Sequence, residues 1–329
     1  MMEPSSTRTV PAPRSKLLPW AILMIAGIPW GVTFVLTILA LTNGDHPIGI
    51  AFWQTLTGVI LLIALNAIRR KPLLPFDRFH MTFYVVCGVL GTALPTVLYL
   101  YAAEHLQAGV LSIALATVPM ATFGLACLMR LEGFAWLRMS GLMLGIGAIL
   151  MITIPDTGLP NPGAWAWVVV AVAASSCYAI ENVFIGKYLP DDDDPFMILT
   201  GMMTAGVLLL VPAVIAMDAW FVPAFPPDTV GWSILGMAFI NVLAYGLFIL
   251  LIRVAGAVFA SQMGYVVTLA GVAWGIVIFG EQHSLWFWGA LLTMMVGLTF
   301  VRPRKDDDTI VAVAHPGDHI VDRPPSDER

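Results

Sequence analysis

Glu181 is the first residue in this chain whose placement needs a chemical reason. It stands in Ala164–Lys187, a run long and apolar enough to cross a bilayer. An ionisable side chain inside such a run costs roughly 2.5–3.5 kcal/mol on insertion scales, and acids there tend to face a bundle interior and mark ion or proton paths. Tyr178, Glu181 and Asn182 are spaced i, i+3 and i+4, so a helix puts them on one face. That trio reads as a proton carrier with neighbouring hydrogen-bonding groups. Two other readings stay open: an acid bonded to a neighbouring helix, or one that reaches toward Lys187 and the interface.

Other polar groups recur at helical spacing within apolar runs. Asn241 and Tyr245 are i, i+4, and Gln262 and Tyr265 are i, i+3. Trp53-Gln54 falls in a second run, and Trp30 with Thr33 in the first. Gathered around Glu181, these would line a neutral, aromatic-rich pocket with a few amides, suited to amphipathic organic solutes. Taken singly, each also reads as a packing or interhelical hydrogen-bonding group. Glu104 and His105 read as an interfacial pair, and Glu132 and Glu281 as groups that end helices.

Composition narrows the classes. Of 329 residues, 59% are hydrophobic and 11% charged, against about 25% charged in soluble domains, so the chain belongs in lipid. The basic residues form no stripe with interleaved aromatics, which argues against nucleic-acid binding. Cys87, Cys127 and Cys177 are isolated in apolar stretches and have no metal or disulfide spacing. The Asp191–Asp194 run reads as a solvated loop, not a metal cage. No phosphate-cradling Gly-x-x-x-x-Gly-Lys loop is present, and no cofactor is expected. No second catalytic group stands clearly beside Glu181, so an enzyme is not expected. The spans carry no central Lys or Arg, which disfavours phosphorylated anionic substrates.

About 20 apolar residues cross a bilayer. Ten runs qualify: 18–41, 48–68, 81–103, 107–129, 137–154, 164–187, 196–216, 229–252, 257–279 and 285–301. The first is too long for a signal peptide and reads as a retained helix. Threading ten spans puts all 16 Lys and Arg residues on one side, so both termini are expected in the cytoplasm. The segments 1–16 and 302–329 read as polar tails, and 155–163 as an extracytoplasmic linker.

The two halves, 17–154 and 164–301, share an offset near 148. Pro47 matches Pro195, Gly58 matches Gly206, Gly88 matches Gly236, and Gly141 matches Gly289. Five helices per half is an odd number, so the second copy enters from the opposite face. Such inverted repeats are a recurrent plan in secondary transporters. Glu181 falls opposite Thr33 in this register, an asymmetry between matched halves.

On these features the chain resembles the drug/metabolite transporter superfamily, EamA type. The resemblance rests on the two five-helix repeats and on Pro29-Trp30-Gly31-Val32-Thr33-Phe34. It also rests on Pro119 followed by Glu132, and on Phe279-Gly280-Glu281 followed by Trp288-Gly289. It implies a central cavity lined by helices 1–4 and 6–9, with 5 and 10 peripheral, and an export direction. The expectation is an all-α, ten-span protein of the cell (inner) membrane. It would move a small neutral or zwitterionic organic solute by alternating access, with or without proton exchange. An uncoupled facilitator and a non-transporting sensor or assembly subunit remain as alternatives, and oligomeric state is left open.

Overall fold

The computed structural model describes residues 17–43, 45–70, 75–129, 136–153, 162–189, 193–260 and 263–300. Within them the chain forms ten helical rods and no strand. These are α1 (Leu17–Ala40), α2 (Pro47–Ile68), α3 (Arg78–Ala103), α4 (Ala108–Leu128) and α5 (Trp136–Thr153). The others are α6 (Trp165–Tyr188), α7 (Pro195–Ala216), α8 (Thr229–Ala260), α9 (Met263–Phe279) and α10 (Leu285–Phe300). Seven, α1–α4 and α6–α8, are long and apolar enough to cross a membrane, and α5, α9 and α10 include shorter apolar helices. Helices are what apolar runs must form in lipid, because each satisfies its own backbone. The chain is an all-helical, multi-pass membrane protein. Both tails, residues 155–161 of the 155–163 linker, Glu132 and Gln262 lie outside the described residues.

Local chemistry sets the helix starts. His46 accepts from the Ile48 N–H before Pro47, and Asp194 accepts from the Phe196 N–H before Pro195. Both place proline at the first helical position, where its missing N–H is harmless. Asp77 caps α3 by accepting from the His80 N–H at 2.9 Å, and that bond holds its carboxyl below the ordinary carboxylate value. Asp228 accepts from the Gly231 N–H near the start of α8.

One boundary differs from the sequence expectation. The eighth and ninth spans were expected to part between 252 and 257, around Arg253. Instead the α8 backbone runs unbroken to Ala260. Residues 252–260 hold no proline, and a cation near a helix end does not interrupt backbone hydrogen bonding. At about 1.5 Å per residue, the 32 residues of α8 exceed a hydrocarbon layer of about 30 Å. The helix therefore tilts or extends beyond that layer.

Two rods are interrupted inside. In α3, Gly88–Ala93 forms a π-helical segment just before Pro95. Proline cannot donate back along the helix, and such bulges often occur at functional sites. In α4 the helix loosens at Ala116–Thr117, ahead of Pro119. The rods pack as α1 against α8 and α9, α2 against α7 and α8, α3 against α6 and α7, and α4 against α6 and α9, with α5 against α10. Large side chains such as Leu208, Ile215, Val277 and Leu292 remain exposed on the outside, as a lipid-facing surface requires.

Candidate functional site

Eight helices, α1–α4 and α6–α9, enclose a cavity of about 740 Å³. α5 and α10 contribute no lining residue. One end of the cavity reaches Gly186, Lys187 and Leu189 at the close of α6, with Ala126 of α4 and Gly264 of α9. The other end stops at Thr37, Gln54 and Leu100. Beyond it Trp53 donates its indole N–H to the Phe221 carbonyl at 2.8 Å and packs on Trp220, ring centroids 5.1 Å apart. At the same end the Asn43 amide donates to Asp228 at 2.9 Å. The lining is exposed at Gly186 and Lys187 and buried at Gln54, Thr55 and Leu100, so the cavity is open toward Lys187 and closed at the far end, where the aromatic cluster lies.

Glu181 sits in the wall and is 1% exposed. The Tyr245 hydroxyl donates to its Oε1 at 2.7 Å. Its Oε2 is buried with no hydrogen-bond partner among the described residues. Gly91, in the π-helical segment of α3, lies directly against the carboxylate, and a Cβ there would collide with it. Tyr245 meets Trp30 edge-on at 6.1 Å, and the Trp30 indole donates to the Asn241 side-chain oxygen at 3.0 Å. Tyr178 stacks on Tyr99 at 6.3 Å, and the Tyr99 hydroxyl pairs with Ser175 at 2.7 Å. Among the described lining residues, the charged ones are Glu181 and Lys187.

Tyr178, Glu181, Asn182, Trp30, Thr33, Gln54, Asn241 and Tyr245 thus come together around one cavity. Thr33 spends its hydroxyl on the Trp30 carbonyl. Trp53 and Tyr265 are not among the lining residues. Trp53 turns away from its neighbour Gln54 toward Phe221 and Trp220, and Tyr265 packs against the main apolar core. Gln262 lies outside the described residues. His105 stacks on Trp167 at 4.1 Å, away from the cavity.

The structure adds lining residues that the sequence reading passed over, notably Thr92, Thr96 and Tyr99 on α3. Their i, i+4, i+7 spacing is a polar face that could have been read. Glu281 is also more than a helix end: its carboxylate accepts from the Ala108 and Gly109 N–H groups of α4.

The EamA-like transporter family profile matches residues 18–154 and again residues 165–302. The chain belongs to this family. Membership carries membrane transport as the class of function, and both matched stretches contribute to the cavity wall. This EamA-like chain is 25% identical over 299 residues to a protein named uncharacterized inner membrane transporter YedA from Escherichia coli strain K12, covering 87% of this chain and 91% of that one. It is 22% identical over 159 residues to protein PagO from Salmonella typhimurium strain LT2, covering 48% of this chain and 52% of that one. A solved crystal structure shares the fold with a TM-score of 0.61 at 12% identity, covering 87% of this chain and 96% of that one.

Proposed function

We propose that this protein moves a small neutral or zwitterionic organic solute across the cell membrane by alternating access, outward from the cytoplasm, with proton exchange at Glu181. The observation that carries the reading is the cavity itself. It reaches one end of the molecule and holds a buried carboxyl group with one oxygen unpartnered in its wall. The aromatic and amide lining suits an amphipathic solute, since apolar walls with a few placed polar groups give affinity and orientation together.

The proposed organisation is two repeats, 17–154 and 164–301, of opposite orientation, joined by an extracytoplasmic linker at 155–163. The cytoplasmic tails are 1–16 and 302–329. The two family matches support it. So does the packing: exchanging each helix with the one five places on turns α1–α8 into α6–α3, and α1–α9 into α6–α4, all of them observed neighbours. The pairs α2–α7, α4–α9 and α5–α10 map onto themselves. A two-fold relation of this kind lets two halves exchange conformations around one central site.

The test has two stages. A metabolite library is screened for thermal stabilisation of the purified protein, since a ligand of the folded state raises apparent stability. Flux of the stabilising solute is then followed in proteoliposomes with and without a pH gradient. A gradient should drive wild-type flux. Glu181→Gln should keep downhill movement and lose the drive. Equal flux and equal pH dependence in both proteins would remove the coupling and leave an uncoupled facilitator.

A further inference from the structure

Glu281 stands at the end of the molecule where the cavity is closed. It follows α9 after Gly280, whose φ of 63° makes the turn. Its side chain is only 5% exposed. Oε1 accepts from the Ala108 N–H at 2.8 Å, and Oε2 from the Gly109 N–H at 3.1 Å. These N–H groups open α4, where a helix leaves donors unpaired and its dipole favours an anion. Two glycines clear the space. A Cβ at Gly275 would meet Oε2 at 2.5 Å, and one at Gly109 would meet His283 Nε2 at 3.0 Å. The His283 ring stacks on Phe287 at 3.7 Å and brings Nε2 to 3.2 Å from Oε2.

The contact continues down the same helix pair. Thr268 donates to the Ser112 carbonyl at 3.3 Å. Gly271 lies so close to Ser112 that a Cβ would meet its Cβ at 2.6 Å, and Gly264 faces Pro119 at 3.5 Å. Past Pro119 the next residues of α4, Thr122, Phe123 and Ala126, line the cavity. So α4 and α9 are joined from Glu281 to Pro119, and α4 also lines the cavity along this stretch, at Leu111, Leu115, Val118 and Pro119. The turn after α9 needs only Gly280. It does not require a carboxylate that reaches across to α4.

We propose that Glu281 is the latch that holds α4 on α9 at the closed end, and that its release lets the cavity open to that face. Glu281 is then a positioning residue of the transport cycle: it touches no solute and sets which face the site meets. This rests on the alternating-access reading above. It goes beyond it by naming the contact that must break.

The test uses the full chain with Cys87, Cys127 and Cys177 replaced by alanine, and one reporter at a time. Thr37→Cys reports the closed end of the cavity. Gly186→Cys reports the open end, where a Cβ meets nothing within 4 Å. Labelling by a membrane-impermeant maleimide is timed from each face. Glu281→Gln should speed labelling of the Thr37→Cys reporter from the closed face by about tenfold, equivalent to about 1.4 kcal/mol, and slow labelling of the Gly186→Cys reporter. Gly275→Ala, which displaces the same carboxylate without deleting it, should act alike, and Glu281→Asp should fall between. Unchanged rates at both reporters would overturn the latch. So would faster labelling at both, which is loosening, or failure of both variants to fold, which is a structural role. If the wild-type reporters never exchange accessibility when solute is added, alternating access itself is lost. A normal wild-type exchange that Glu281→Gln leaves unmoved removes only the latch.

Discussion

At Glu181 the two carboxylate oxygens meet different surroundings, which bears on the proton exchange proposed for this group. Oε1 is held by Tyr245, while Oε2 is walled in without a partner. Tyr245→Phe keeps the ring against Trp30 and removes the donor. A hydrogen bond to a charged group is worth about 1.5–3 kcal/mol, so the variant should fold, keep its solute affinity within a few-fold and shift the pH profile of flux. A profile that superposes on wild type would separate Tyr245 from the coupling. The face formed by Tyr178, Glu181 and Asn182 was legible in the sequence, because helical spacing alone puts them together. That Tyr245 closes onto Glu181 was not, since the partners are 64 residues apart and no local pattern encodes which helices meet. Trp53 misled for a simple reason. Adjacent helix residues do not share a face, so the cavity could take Gln54 and leave Trp53 to the cluster with Trp220 and Phe221. Thr92 and Thr96 were passed over because an uncharged hydroxyl in an apolar run costs little and draws no attention.

Elements were legible where composition changes sharply and obscure where it does not. The prolines and polar breaks before α2 and α7 mark both starts, and Asp194 shows how much one residue does there. It accepts from the Phe196 N–H and takes a two-pronged contact from Arg69 of α2 at 2.7 and 2.9 Å. These roles can be separated. Asp194→Asn keeps an acceptor for the cap and loses the ion pair, whereas Asp194→Ala loses both. The cap is worth about 1 kcal/mol. The pair is worth no more than about 1 kcal/mol, because the Arg69 side chain is 32% exposed. Thermal unfolding should rank wild type above Asp194→Asn above Asp194→Ala. High salt should shrink the first gap and spare the second, and a salt-insensitive first gap would contradict the assignment. The α8–α9 boundary was misplaced because Arg253 was read as a loop residue, and nothing else in an apolar stretch marks a break. Gly289 and Gly297 lie on one face of α10, where small residues allow close helix approach. The structure shows an internal use: a Cβ at Gly297 would meet the Gly141 carbonyl at 3.0 Å, and one at Gly289 would meet Met151 at 2.7 Å.

At the scale of the whole molecule, the charge pattern and the cavity make independent statements about the same axis. Threaded through the ten proposed spans, every Lys and Arg falls on one side, which the proposed orientation puts in the cytoplasm. The cavity opens at the end where Lys187 and the close of α6 lie, and the aromatic cluster of Phe52, Trp53, Trp220 and Phe221 lies toward the other. On the orientation proposed above, the site would face the cytoplasm, the state in which an exporter would load its solute. Vesicles of known orientation check this. Gly186→Cys, in the cysteine-free chain, should react with an impermeant maleimide from the cytoplasmic face. Thr42→Cys, exposed after α1, should react from the opposite face. Saturating solute should slow the first reaction, because the reporter lines the cavity that the solute fills. If both reporters react from the same face, the ten-span threading is wrong. If the Gly186→Cys reporter reacts equally from both, the far end of the cavity does not seal, and a channel would describe the protein better than a carrier.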